Sequence, residues 1–457
     1  MYKDMTKGSP LKLIVMFSIP LILGNLFQQM YQMADTFIVS KTIGVDAFAA
    51  VGATGSINGL ILGLAIGLTA GLSVITAQRF GQKDETKIRQ NLAASVIIAG
   101  TMSIILTVVA VIFTRQILEF MNTPVELIEH SNSYLSILFS GIGAAVMFNL
   151  ISNILRSIGN SRAPLVFLII TSLLNIGLDF LFILVFNMGV GGAALATVIS
   201  QFVASIVGLV YIKRYVPILR IHKEDWAAGF KQIKEHAAIA FPMGFQSSII
   251  AIGAIAIQMT LNSLGPTAVA ATTAAQKIDG IATLPLVSFG ITMATFAAQN
   301  YGAGKTERVW QGVRTTLKVV LTYSAVMGLV LVLFGRTLTT LFVGAESTEI
   351  LELSQLYFVT NASFYFLLAM LFIYRYTLQG LGRSTAPTLA GIMELFSRVG
   401  AALLLSNTMG YAGVTLSNPL AWIAALIPLT FSYYSLKRQL DGVARPKLLP
   451  RLAGLIR

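Results

Sequence analysis

Leu155–Pro164 (LRSIGNSRAP) closes one apolar run and opens the next, and the same punctuation returns 223 residues later at Leu378–Pro387 (LQGLGRSTAP). Leu155, Gly159, Ser161, Ala163 and Pro164 match Leu378, Gly382, Ser384, Ala386 and Pro387. Two further landmarks keep nearly the same interval. Pro20 pairs with Pro242 at an offset of 222, and Ala77-Gln78-Arg79-Phe80-Gly81 pairs with Ala298-Gln299-Asn300-Tyr301-Gly302 at an offset of 221. A period of about half the chain predicts two structurally similar units.

What those units are follows from composition. The 457 residues are 55% hydrophobic and only 11% charged, too apolar for a soluble chain of this length. Apolar runs of about 20 residues bounded by charge, glycine or proline predict twelve spans: 13–39, 47–78, 90–113, 127–155, 164–186, 190–212, 237–263, 267–298, 314–334, 350–380, 387–408 and 412–436. The expected fold is an all-α polytopic membrane protein with two six-helix bundles. Each unit has an even number of spans, so the repeat is parallel, an arrangement known from transporters. The expected organisation is an amino-terminal lobe over 1–212, a basic linker over 213–236, a second lobe over 237–438 and a basic tail over 439–457.

Charge sets the orientation. With both termini cytoplasmic, 26 of the 32 Lys and Arg residues fall on the inner side, counting Arg314 and Lys318 at the inner end of the 314–334 span, three in outer loops (Lys41, Arg115, Arg336) and three deeper inside spans (Lys277, Arg375, Arg398). This is the positive-inside distribution, and it predicts a multi-pass protein of the plasma membrane, a bacterial inner membrane in particular. The net charge of +13 then belongs to short loops facing anionic lipid, and no nucleic-acid partner is expected. The chain has no cysteine, which excludes disulfides and thiolate chemistry. His130, His222 and His236 are scattered and read as surface residues. Gly302-Ala303-Gly304-Lys305-Thr306 resembles the end of a phosphate-binding loop but lacks the earlier glycine, since Gln299 stands there. It reads as a turn, and no ATP, organic cofactor or enzymatic activity is expected.

Two acids inside predicted spans carry the functional reading, because a carboxylate in hydrocarbon is costly and usually functional. Counting about 1.5 Å per residue from the outer helix ends, Asp35 lies about 6 Å deep. On the same scale, Asp179 and Thr197 lie about 10 Å deep, with Asn175 one turn from Asp179. These four offer only oxygen acceptors and an amide, a set suited to a hard cation such as Na⁺ or to a proton. Alternative readings are that Asp35 faces outer water and that Asp179 is a structural hydrogen-bonder. At the repeat-related places stand Ile257, Ala402 and Arg398 in place of Asp35, Asp179 and Asn175. The second unit instead holds Lys277, Asp279, Glu394 and Arg398 as candidate substrate-cleft residues. Glu394 and Arg398 are spaced to pair along one helix, and Arg375 is expected to reach the head groups from its helix end. Pro20 and Pro242 should bend their helices, Pro20 acting as a hinge. Gly55, Gly59, Gly63, Gly67 and Gly71 form a stripe for close helix packing, or alternatively a sliding face.

With these residues the chain resembles the multidrug and toxic compound extrusion (MATE) family over nearly its whole length. The carriers are Met33-Ala34-Asp35-Thr36, Gly44-Val45-Asp46-Ala47, Ala49-Ala50-Val51-Gly52, Asn175 and Asp179 within SLLNIGLDFLFI, and Gln299-Asn300-Tyr301-Gly302-Ala303-Gly304-Lys305. The resemblance implies an antiporter that exports amphipathic, usually cationic small molecules in exchange for H⁺ or Na⁺. It places the family's cation site on Asp35, Asn175, Asp179 and Thr197 and its bending proline on Pro20. The expected partners are a small-molecule substrate, the coupling ion and the lipid bilayer, with the chain working as a monomer. A flippase for a lipid-linked saccharide is the alternative, and a channel is disfavoured because no helix has a continuous polar face.

Overall fold

The computed structural model describes residues 3–442 apart from 44, 122, 124 and 345. Gly44 of the Gly44–Ala47 motif and the expected basic tail beyond residue 442 therefore lie outside the described residues. Among those described there is no strand. The helices are α1 Pro10–Thr42, α2 Val45–Gln82, α3 Glu85–Phe120, α4 Val125–Ser140, α5 Ile142–Ser157, α6 Arg162–Asp179, α7 Gly189–Tyr215, α8 Lys223–Lys231, α9 Ile233–Ser263, α10 Pro266–Gly302, α11 Thr306–Val343, α12 Thr348–Ala362, α13 Tyr365–Gly380, α14 Thr385–Met409 and α15 Tyr411–Leu440. Among the described residues, ten helices are long and apolar enough to cross a membrane singly, and counting each of two bent pairs as one span brings the total to twelve.

The repeat has a hydrogen-bond explanation. At the end of α5 the Gly159 N–H donates to Arg156 O and the Asn160 N–H to Leu155 O, and at the end of α13 the Gly382 N–H donates to Gln379 O and the Arg383 N–H to Leu378 O. Both glycines have positive φ, +85° and +76°, so each helix ends in the same left-handed cap. The α2 and α10 ends are a second matched pair. Gly304, φ +72°, caps α10, whereas the equivalent position after α2 is Lys83 at φ +60°. Gly304 thus terminates a helix, which explains its likeness to a phosphate loop without a phosphate.

Breaks also recur in the two halves. The span predicted over 127–155 is two helices, α4 and α5, bent by 49° around Gly141, and the span predicted over 350–380 is α12 and α13, also bent by 49°. A Cβ on Gly141 would lie 2.2 Å from the Val198 side chain in α7. Close approach of α7 therefore needs glycine at that bend. Helices α1 and α9 run through Pro20 and Pro242 without interruption.

The chain divides into two compact units. One holds the described residues up to Asp4 and Ile19–Ser248, and the other holds Met5–Ser18 and the described residues from Ile249 onward. The changeover in α1 falls beside Pro20, and the one in α9 six residues beyond Pro242. Within the first unit, the expected linker is ordered. Helix α8 lies on α3, with Asp225 nearly buried and accepting from Arg89 Nε at 3.2 Å. A core of this unit joins α2, α3, α4 and α5 through residues such as Leu72, Ile88, Phe139, Ile142 and Ile154. On α3 the opposite face, Ile104, Ile105, Val108, Val109 and Ile112, is exposed, as expected for a lipid-facing stripe. In the second unit, Met5 and Thr6 are buried. The Met5 N–H donates to Gln299 Oε1 at 3.0 Å, and Lys305 Nζ donates to Thr6 O at 2.9 Å.

The α2 glycines separate into two groups. Cβ atoms at Gly67 and Gly71 would press on Met243 O (2.4 Å) and Ala240 Cα (2.6 Å) of α9, whereas those at Gly55 and Gly59 would meet nothing within 4 Å. The inner part of the stripe is therefore a packing seam within the first unit.

Candidate functional site

In the first unit, α1 presents Tyr31 and Asp35 one turn apart, α4 presents Tyr134, α6 presents Asn175 and Asp179 one turn apart, and α7 presents Thr197. Spacing of four places each pair on one helix face. Asp179 is fully buried and Asn175 is 1% exposed, while Asp35 and Thr197 are half-buried. Asn175 Nδ2 donates to Thr197 Oγ1 at 3.4 Å. The Asp35 and Asp179 carboxyls lie within hydrogen-bonding reach of one another. The structure thus brings together all four residues that the sequence nominates for a cation.

The walls are apolar: Ile38 and Val39 of α1, Ile183, and Val190 of α7. Directly after Asp179 the helix widens into a π-helical turn, Phe180–Val185, in which the Phe186 N–H bonds to Leu181 O. Such turns are rare and concentrate at functional sites. Donors are scarce around the acids. Asp35 Oδ1, Asn175 Oδ1 and both carboxylate oxygens of Asp179 are buried with no hydrogen-bond partner. Facing carboxylates in apolar surroundings repel each other and lack solvation. A proton shared between them, or a hard cation coordinated by these oxygens, removes both costs.

Two residues of this centre were missed in the sequence. Tyr134 is 8% exposed and lies beside Asp35, Asp179 and Tyr31, and Tyr31 lies beside Asp35. A tyrosine on an apolar helix face reads as core, which is why neither stands out. The usable signals were the four-residue spacing of Tyr31 and Asp35 and the 223-residue interval between Tyr134 and Tyr357.

Tyr357 leads to the polar centre of the second unit. It lies near both Asp279 of α10 and Arg398 of α14, and Tyr365 of α13 donates a short hydrogen bond to Asp279 Oδ1. Glu394 is clamped from two sides: Oε1 accepts from Arg398 at 2.7 Å, and Oε2 accepts from Arg375 at 2.6 Å. The expectation for Arg375 is corrected here. It is 4% exposed and tied to Glu394, because a partner carboxylate on α14 holds its charge inside the unit. Lys277 is exposed.

Comparison with known proteins matches this architecture. The family model MatE aligns with residues 20–181 and again with 242–404, one match per repeat. "Probable multidrug resistance protein YpnP" of Bacillus subtilis (strain 168) is 28% identical over 438 residues, covering 94% of this chain and 96% of that protein. "Probable multidrug resistance protein YoeA" of the same organism is 27% identical over 442 residues, covering 94% of each. A crystal structure of MATE in complex with MaL6 has the same fold, with a TM-score of 0.89 at 24% identity, covering 96% of this chain and 99% of that one. With both repeats matched over more than half of its length, the chain belongs to the MATE family of multi-pass membrane transporters.

Proposed function

We propose that the protein is a secondary exporter that exchanges H⁺ or Na⁺, bound at Asp35, Asn175, Asp179 and Thr197, for amphipathic small molecules, cationic ones among them. The supporting observation is the facing pair Asp35 and Asp179, whose buried oxygens lack donors. Cation binding relieves their repulsion and so favours the conformation that holds the two acids together. A ligand shifts such an equilibrium only through its differential affinity for the two states. Substrate must therefore bind the cation-loaded form less well. In this reading transport follows alternating access, with bending of α1 near Pro20, both termini on the cytoplasmic side, and a single chain sufficing without ATP.

The test uses purified protein in liposomes, with an imposed pH gradient or Na⁺ gradient in turn, and efflux of a fluorescent cation as readout. One of the two gradients should drive efflux in the parent. Asp35→Asn and Asp179→Asn should abolish that dependence while keeping the parent's elution profile on size exclusion. Full gradient-driven efflux in either variant would overturn the role given to that residue. The two arginines of the second unit favour a second reading, a flippase whose lipid-linked saccharide carries a phosphate. That reading predicts gradient-dependent flipping of such a lipid and no efflux of the fluorescent cation.

A further inference from the structure

The second unit contains a buried charge arrangement that its own chain leaves incomplete. Arg375 and Arg398 share the single carboxylate of Glu394, each holding one oxygen. Arg375 and Glu394 are 4% and 6% exposed. The three groups carry a net positive charge inside a membrane helix bundle, and buried ions are stable only when paired and hydrogen-bonded. The Nε atoms of both arginines are buried with no acceptor. Two planar guanidiniums with free edges are suited to an oxyanion, which accepts several charged N–H bonds at once. Glu394 and Arg398 also lie about 14 and 20 Å along α14 from its start at Thr385, far from either end of the 25-residue helix. Transporters place substrate at such a depth.

Another acid, Asp279, shares Tyr357 as a neighbour with Arg398 and accepts from the Tyr365 hydroxyl. It offsets the field of the cluster without supplying an acceptor to either free Nε atom. We propose that Arg398, supported by Arg375, binds the anionic group of the transported amphiphile, a carboxylate or phosphate, so that a zwitterion or anion binds more tightly than a cation that lacks such a group. This rests on the reading of the protein as a transporter, and it narrows the class of its substrate.

The test is equilibrium binding without any ion gradient, so failure of ion coupling cannot be mistaken for failure of the anion site. The probes are rhodamine B, which carries a carboxylate, and its ethyl ester, which does not, titrated by fluorescence anisotropy against the protein in phosphatidylcholine nanodiscs. The carboxylate dye should bind about tenfold tighter or more, as charged hydrogen bonds warrant. Arg398→Gln should erase that preference, and Arg398→Lys should retain part of it. Asp279→Asn, which removes an opposing negative charge, should widen the preference. Adding phosphatidylglycerol to the nanodiscs identifies the source of the anion. Competition that depends on Arg398 assigns the site to a lipid head group, and absence of competition assigns it to a free small molecule. Equal binding of dye and ester, no measurable binding of either, or an unchanged preference in a folded Arg398→Gln protein would overturn the proposal.

Discussion

Substituting Gly67 by alanine tests the helix seam that holds the first unit together, and Gly59, two turns away on α2, provides the control. An alanine Cβ at position 67 would lie 2.4 Å from Met243 O and 2.6 Å from Ser247 Oγ of α9. The serine hydroxyl can rotate away. The Met243 carbonyl is helical backbone, so reaching an ordinary 3.4 Å contact requires α9 to retreat by 1.0 Å, the difference between 3.4 and 2.4 Å. Overpacking of this kind costs about 1–3 kcal/mol. At position 59 the new methyl meets nothing within 4 Å. Both substitutions gain the same helix propensity, about 1 kcal/mol over glycine, so their difference isolates the clash. Thermal melting in one detergent, followed by tryptophan fluorescence, should place Gly59→Ala at or above the parent and Gly67→Ala a few degrees below Gly59→Ala. Gly63→Ala, at 3.5 Å from Ser247 O and so in ordinary contact, should melt with Gly59→Ala. If Gly67→Ala melts with or above Gly59→Ala, α2 and α9 do not meet at this seam.

Lys83 occupies the left-handed cap position that glycine fills at Gly304. Lys83→Gly should therefore raise stability by about 1 kcal/mol, seen as a higher melting temperature, with no gain from Gly304→Lys. Asp84 caps α3 by accepting from the Lys87 N–H at 3.0 Å. That bond, followed by the Lys87 ammonium and Arg79, holds its carboxyl below the usual aspartate range. A depressed folded value contributes stability above the ordinary aspartate range, near pH 4, and that contribution is lost as pH falls through the folded value. Melting of the parent should accordingly decline more steeply below about pH 4 than that of Asp84→Asn, which keeps an acceptor but no titrating group. Asp84→Ala should cost about 1 kcal/mol at neutral pH.

The sequence displays the span count and the repeat because both are set by local chemistry: apolar length, and helix ends that need a left-handed residue at Gly159 and Gly382. The bends at Gly141 and between Ala362 and Tyr365 were not legible. Hydropathy runs straight through them, and only the neighbouring Val198 of α7 shows why residue 141 has no side chain. The acids Asp35 and Asp179 stand out by charge alone, whereas Tyr31 and Tyr134 are indistinguishable from core until the fold brings them to those acids. Arg375 was misread for the complementary reason. A cation near a helix end has a cheap route to the head groups, and only a partner on another helix, Glu394, keeps it inside.

The comparison of the two units yields one further step. Asp35 and Asp179 correspond to Ile257 and Ala402, which are 8% and 1% exposed and close-packed, while Asn175 corresponds to Arg398 and Tyr134 to Tyr357. The repeat-related tyrosine thus stands at a polar centre in each unit, with Asp35 and Asp179 near Tyr134 and with both Asp279 and Arg398 near Tyr357. One backbone plan therefore holds an acid pair in one unit and an acid together with two arginines in the other. In the first unit four buried oxygens lack donors, and in the second the Nε atoms of Arg375 and Arg398 lack acceptors. In the proposed reading a proton or cation completes the first, and an oxyanion completes the second. In that reading the coupling ion binds in one unit and an anionic substrate group in the other, without either competing for the same atoms. Direct competition for shared ligands is then unnecessary for exchange, and coupling has to come from the conformations that each bound group favours.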